Sequence, residues 1–232
     1  YLMTTTTAAA SQVIRHLDFV HQCLHPEWDI SINSVTEHWT QFAIAGPKAG
    51  NLLNNFLDAE LLKNKWPFMS CAPVDIFGVG CRLFRISFSG ELGYELAVPS
   101  RYGESLFRVL ISKAEELGGS VYGMEALNVL RIEKGFITHA EIDGRVTAPD
   151  LGMGHLMSTK KDFIGKTASQ RSGLADPRRP RLVGLKTIGP VKQITAGSHL
   201  FNNGDPSEAK YDRGYIGSVA YSPMLERFHG LA

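Results

Sequence analysis

An α+β fold is predicted for this 232-residue chain, and three observations predict it. Helical periodicity occurs in separate blocks, and short alternating strands fall between them. Neighbouring strands are joined by turn residues as hairpins, not spaced by helices as in a doubly wound parallel sheet. Past Asp176-Pro177 the helical period disappears, and "RLVGLKTI", "SHLFNN" and "GYIGSVAYS" read as short strands broken by Gly, Asn and Pro. That change predicts a small β-barrel or sandwich. The chain is therefore read as an α+β body over residues 1–176, followed by a β-rich domain over 177–232, a small barrel or sandwich.

The elements of the body follow in order. Tyr1 to Thr5 reads as a strand. From Thr7 to Leu24, the residues Val13, Leu17, Val20 and Leu24 share one face of a helix that Pro26 ends. "WDISINSV" alternates Trp28, Ile30 and Ile32 with polar neighbours, which predicts a half-buried strand. "TQFAIAG" is a second strand, and Gly46-Pro47 opens a helix carrying Leu52, Phe56 and Leu57 inward. Two strands around Val74–Phe77 and Arg82–Phe88 are joined through Gly78-Val79-Gly80, and a return strand runs over Tyr94–Val98. Ser100 is placed as the N-cap of a helix that buries Leu106, Leu110, Ala114 and Leu117 and stops at Gly118-Gly119. A further helix runs from Met124 to Lys134, closed by Gly135.

Composition narrows the function. A net charge of +1 gives no electrostatic footprint for nucleic acid or an anionic membrane. No apolar run approaches the roughly 18 residues that span a bilayer. The three cysteines, Cys23, Cys71 and Cys81, are odd in number and lack a CxxC, which argues against a zinc site or a disulfide framework and fits a reducing cytoplasm. The opening "YLMTTTTAAA" lacks the basic and apolar regions of a signal peptide, and a chain starting mid-strand is expected to be cut from a longer protein. Arg178, Arg179 and Arg181 form the one basic knot, read as a solvated connector.

Few residues carry obvious chemistry. His21 and His25 are four apart on a helix but lack a third ligand, so a polar helix face explains them. There is no G-x-S-x-G elbow, and the "GVG" around Val79 is explained by a hairpin turn. That leaves "RISFSGELGYELAVP", where Glu95 falls between Tyr94 and Leu96 on a half-buried strand. Strand alternation puts Tyr94, Leu96 and Val98 on one face, and Glu95 and Ala97 on the other. Glu95 is then a solvated charge, an ion-pair partner of Arg85 across the hairpin, or a carboxylate placed to grip a ligand. Arg131 in "LNVLRIEKGF" poses the same question, with its stem along apolar surface and its head free to reach a partner or a ligand.

In order and spacing, "GELGYELAVP", "LRIEKGF", "TAPDLGMGHLMSTKKDFIGK" and "RLVGLKTIG" resemble the aminomethyltransferase (glycine-cleavage T-protein) family. "YLMTTTT", "SVTEHWTQFAIAGPKAG" and "FRISFSGELGYE" are similar, within that family, to the folate-binding C-terminal regions of heterotetrameric sarcosine oxidase α subunits. The resemblance implies the T-protein folate-binding fold, with ferredoxin-like α/β units and a small C-terminal barrel. It implies a tetrahydrofolate site in which Glu95 binds the pterin, with Arg131 and Tyr94 beside it. A carboxylate can accept two parallel N–H bonds from an amino-pyrimidine edge, as it does from a guanidinium.

The implied parent complex oxidises sarcosine at a flavin on its β subunit and carries FAD, FMN and NAD, none of them bound by this stretch. The one-carbon unit then passes to tetrahydrofolate, glycine leaves and methylene-tetrahydrofolate forms; without folate, hydrolysis gives formaldehyde. The family aspartate that assists transfer falls upstream of Tyr1, so no catalytic residue is assigned, and the stretch by itself is expected to be inactive. "THAEIDGRVTAP" departs from the family pattern, with Ala140 where a glycine is expected, and a further barrel strand is expected beyond "SPMLERFHGLA". Two other readings stand beside this one: a T-protein-like aminomethyltransferase or folate-dependent demethylase, and a folate-binding or assembly module without catalysis.

Overall fold

The computed structural model describes residues 1–57 and 66–232. By their internal contacts these residues form one unit of 1–87 with 92–120 and a second of 88–91 with 121–232. Among the described residues no helix is long and apolar enough to cross a membrane.

The first unit is built on an antiparallel sheet. Its strands are β1 (Trp39–Ala45), β2 (Cys71–Ile76), β3 (Val79–Phe84) and β4 (Gly93–Pro99), in the order β1-β4-β3-β2. The β2–β3 turn is Phe77-Gly78, both at positive φ (54° and 80°), the pattern of a two-residue hairpin whose twist matches its strands. The Asp75 carboxylate accepts the Gly78 N–H at 2.8 Å and fixes that turn. Helix α1 spans Ala10–Phe19 and continues as a π-helical turn over Val20–Leu24. Two further helices, α2 (Ala49–Leu53) and α3 (Gly103–Glu116), join the sheet in one core. Leu52, Leu53, Leu106 and Leu110 from the helices meet Ile44, Leu83, Leu96 and Val98 from the sheet. Lys48 donates to the Leu117 carbonyl at 2.7 Å, satisfying an acceptor freed at the end of α3.

Several expectations for this unit need correction. Trp28–Val35 forms no strand: Trp28 and Ile30 spend their N–H groups on local turn bonds to His25 and Trp28, and both side chains are 46% exposed. Tyr1–Thr5 likewise pairs with no strand among the described residues. Ser100 does not cap α3; a 3-10 turn over Ser100–Tyr102 precedes the helix, and the Ser100 hydroxyl donates to the Glu37 carbonyl. The strand after the hairpin turn spans Val79–Phe84 and does not run on to Phe88, although Arg85 still bonds its backbone to Met69 and Ser70 just before β2. His21 and His25 are engaged locally, His21 at the Trp28 carbonyl and His25 stacked on the Trp28 ring at 4.0 Å.

In the second unit α4 spans Met124–Lys134, as the sequence predicts. Gly135, at φ 81°, takes the left-handed conformation that lets the Phe136 N–H return to the Arg131 carbonyl at 2.8 Å. After a short α5 (Lys166–Ser169) come β5 (Gly184–Lys186), β6 (Ser218–Ser222) and β7 (Arg227–Leu231), in the order β5-β7-β6. Helix α4 packs on β6 and β7. Of the strands expected in "SHLFNN", the structure forms one isolated bridge, His199 to Tyr215.

The basic knot is not uniformly solvated. Arg179 donates to the buried Asp150 carboxylate, at 2.7 Å through Nη2, and to the Arg145 carbonyl at 2.7 Å. Arg178 is the exposed member and pairs with Asp176. The Arg179 hydrogen bonds, seconded by the Thr147 amide, hold the Asp150 carboxyl below its ordinary range against the opposing effect of burial. Folded protein therefore releases this proton more readily than unfolded protein. The pair's stabilisation is fully present above about pH 5 and is lost as pH falls through the folded-state pKa, below the unfolded value of about 3.9. Acid unfolding of Asp150→Asn is expected to show a shallower loss of stability below about pH 4 than wild type, in urea titrations repeated across pH.

Candidate functional site

The sheet of the first unit has two faces, and strand pairing divides them. Phe42, Leu83 and Leu96 lie side by side on the core face. On the other face Arg82, Ala97 and Gln41 form one row, and Phe84, Glu95 and Ala43 the next. Arg82 and Trp39, from the strands flanking β4, meet with the guanidinium 3.9 Å from the ring centroid. Ala97, on the strand between them, is only 3% exposed, so this face is covered by side chains of its own strands at that point.

Glu95 is half-buried in the next row. Its Oε2 accepts a hydrogen bond from the side-chain amide of Gln41. The ion pair with Arg85 does not form: Arg85 donates to the Gly93 carbonyl at 2.7 Å and lies over the Tyr94 ring, 5.0 Å from its centroid. Among the described residues Glu95 has no cationic partner, and its Oε1 accepts no protein hydrogen bond. A half-exposed carboxylate with an open oxygen, fixed on a rigid strand, can accept N–H donors from a ligand.

Tyr94 lies elsewhere. One residue away on the same strand, it points into the core, 9% exposed, with its hydroxyl toward Gly50. Tyr94 and Glu95 thus do not share a face, as the alternation of any strand requires.

Arg131 belongs to the second unit, and its guanidinium does reach partners, but they are protein groups. Nε donates to Asn128 Oδ1 at 2.8 Å, Nη1 to the Phe136 carbonyl at 3.1 Å and Glu141 Oε2 at 3.2 Å, and Nη2 to Ser218 Oγ at 2.7 Å. Arg131 is 4% exposed and Glu141 7%. The Glu141 Oε2 also accepts the Thr138 N–H at 2.8 Å, so one buried ion pair ties the end of α4, the turn after it and β6 together.

Gln41, Asn128, Glu141 and Ser218 escaped sequence reasoning. A signal existed for Gln41, the polar residue on the face opposite Phe42 and Ile44 in "TQFAIA". Nothing local marks Ser218, which meets Arg131 from 87 positions away.

A family model described as the GCVT N-terminal domain matches residues 1–161. The chain is 47% identical over 229 residues to the sarcosine oxidase subunit alpha of Rhizobium meliloti (strain 1021), covering 97% of this chain and 23% of that protein. It is 34% identical over 237 residues to the sarcosine oxidase subunit alpha of Corynebacterium sp. (strain P-1), covering 100% and 24%. It is 27% identical over 213 residues to the aminomethyltransferase of Thermoanaerobacter sp. (strain X514), covering 88% and 54%. The chain thus spans about a quarter of the sarcosine oxidase subunits it matches. The crystal structure of glycine cleavage system aminomethyltransferase T from Bartonella henselae superposes with a TM-score of 0.64 at 24% identity, covering 83% of this chain and 50% of that one, which shows the shared fold. With the family model covering more than half of its residues, the chain belongs to the GCVT family.

Proposed function

We propose that this chain is the tetrahydrofolate-binding, one-carbon-transfer region of a sarcosine oxidase α subunit. The observation that carries the reading is Glu95, a carboxylate held on the middle of a sheet face, which among the described residues has no cationic partner and one open oxygen. Its chemistry fits a pterin: two parallel N–H donors on an amino-pyrimidine edge match a carboxylate as a guanidinium does. When bound, the reduced pterin supplies the amine that takes up the one-carbon unit. Glu95 binds and orients that ring system, and orientation of this kind is what favours transfer over hydrolysis to formaldehyde. Tyr94 contributes from the core side, by anchoring the strand that carries Glu95. Arg131 contributes by holding the end of α4, since its guanidinium is spent on protein partners.

In this reading the parent complex carries FAD, FMN and NAD on other domains and subunits, and the flavin-bearing β subunit is the chief partner, in the cytoplasm. Residues 177–232 are proposed to be part of a small barrel, of which the described residues form three strands.

The test is tetrahydrofolate binding to the full-length α subunit in its complex, by calorimetry. Glu95→Gln is expected to weaken binding by about 1.5–3 kcal/mol, roughly 10- to 150-fold, the scale of a hydrogen bond to a charged group. In the same variant, at limiting folate, sarcosine turnover should release more formaldehyde and less methylene-tetrahydrofolate. Unchanged affinity in a folded Glu95→Gln protein sinks the pterin assignment.

A further inference from the structure

Glu95 does not stand alone on its face. Register places Gln41 opposite Ala97 and Glu95 opposite Ala43, so Gln41 and Glu95 are diagonal neighbours on adjacent strands. The amide nitrogen of Gln41 donates to Glu95 Oε2. An ionised carboxylate can only accept, so this contact dictates which end of the Gln41 amide faces it. A glutamate without such a partner rotates broadly about its last torsion. Each carboxylate oxygen has two lone-pair directions, so Oε2 keeps one acceptor site after Gln41 is satisfied, and Oε1 keeps both.

We infer that Gln41 is a positioning residue for ligand recognition: its amide fixes the plane of the Glu95 carboxylate so that both oxygens meet two parallel N–H donors of a 2-amino-4-oxo-pyrimidine edge. The inference rests on the folate reading and deepens it. Gln41 touches the carboxylate and not the ligand, and its effect is transmitted through Glu95. Without it the ligand must immobilise a mobile side chain on binding, which weakens affinity by about tenfold.

The experiment titrates tetrahydrofolate into the full-length subunit in its complex, in four forms: wild type, Gln41→Leu, Glu95→Gln and the double variant. Hydrogen exchange on peptides from β1 and β4 reports that the sheet remains folded. Gln41→Leu is expected to raise Kd about tenfold in the wild-type background and less than twofold once Glu95 is glutamine. That loss of effect is the signature of a residue acting through the carboxylate, because a general disturbance of the sheet costs the same in both backgrounds. Equal losses in the two backgrounds, or no loss in Gln41→Leu while Glu95→Gln weakens binding, overturn the positioning role and leave the folate reading standing. Absence of binding by the wild-type complex overturns the folate reading and this inference with it.

Discussion

Arg131→Met is expected to destabilise the second unit by about 3–5 kcal/mol, the cost of leaving a buried carboxylate without its cation. The magnitude follows from the surroundings. Glu141 is 7% exposed, and its Oε1 is buried without a hydrogen-bond partner among the described residues, so the Arg131 guanidinium and the Thr138 N–H at Oε2 together offset its desolvation, and only the guanidinium brings a charge. Removing the arginine also leaves the Phe136 carbonyl and the Ser218 hydroxyl short of a donor. The companion Arg131→Met, Glu141→Leu should recover much of the loss, since replacing both charges with apolar groups is often neutral. Hydrogen exchange followed on peptides from α4 and β6 checks both, with faster exchange in the single variant and partial recovery in the double. Wild-type protection in Arg131→Met would refute the claim that this pair holds the unit together.

The second large effect belongs to the sheet that carries Glu95. Leu96→Ala should cost about 3–5 kcal/mol, because Leu96 is fully buried between Phe42 and Leu83 and its removal leaves a cavity among neighbours that cannot close it. Leu96→Met, which nearly conserves volume, should cost less than about 1.5 kcal/mol. Trp28, Trp39 and Trp66 all lie in the first unit, so urea unfolding followed by tryptophan fluorescence reads this unit selectively. A loss below about 1 kcal/mol in Leu96→Ala would mean that the core at β4 is looser than the structure shows.

The sequence was most legible where a single local cause decides the outcome. Helix α4 ends where Gly135 permits the left-handed turn. The segments "TQFAIAG" and "GYELAVP" read as strands because alternation and pairing agree in them. "WDISINSV" alternates just as well, yet forms no strand: alternation supplies a face, while a strand also needs a partner for its backbone. At the candidate site, alternation alone was enough to separate Glu95 from Tyr94 and Leu96. It could not reveal that Gln41 is Glu95's neighbour, since that depends on β1 pairing with β4 across 54 positions of sequence. Arg131 was visible as a residue in search of a partner. That its partners were Glu141 and Ser218 required the fold to bring β6 to α4.

The central place of β4 in its sheet, paired on one side with β1 and on the other with β3, reaches beyond stability. A slip of one residue in its pairing would exchange the two faces, carrying Glu95 in among Leu53, Leu83 and Leu106 and turning Tyr94 or Leu96 outward. A carboxylate with no partner there is costly enough to unfold the unit. A molecule that assembles this strand wrongly therefore does not persist as a folded copy with its faces exchanged; it becomes a substrate for proteases. Cellular quality control, which senses only whether the chain is folded, thereby also screens for which face of the sheet carries the Glu95 carboxylate.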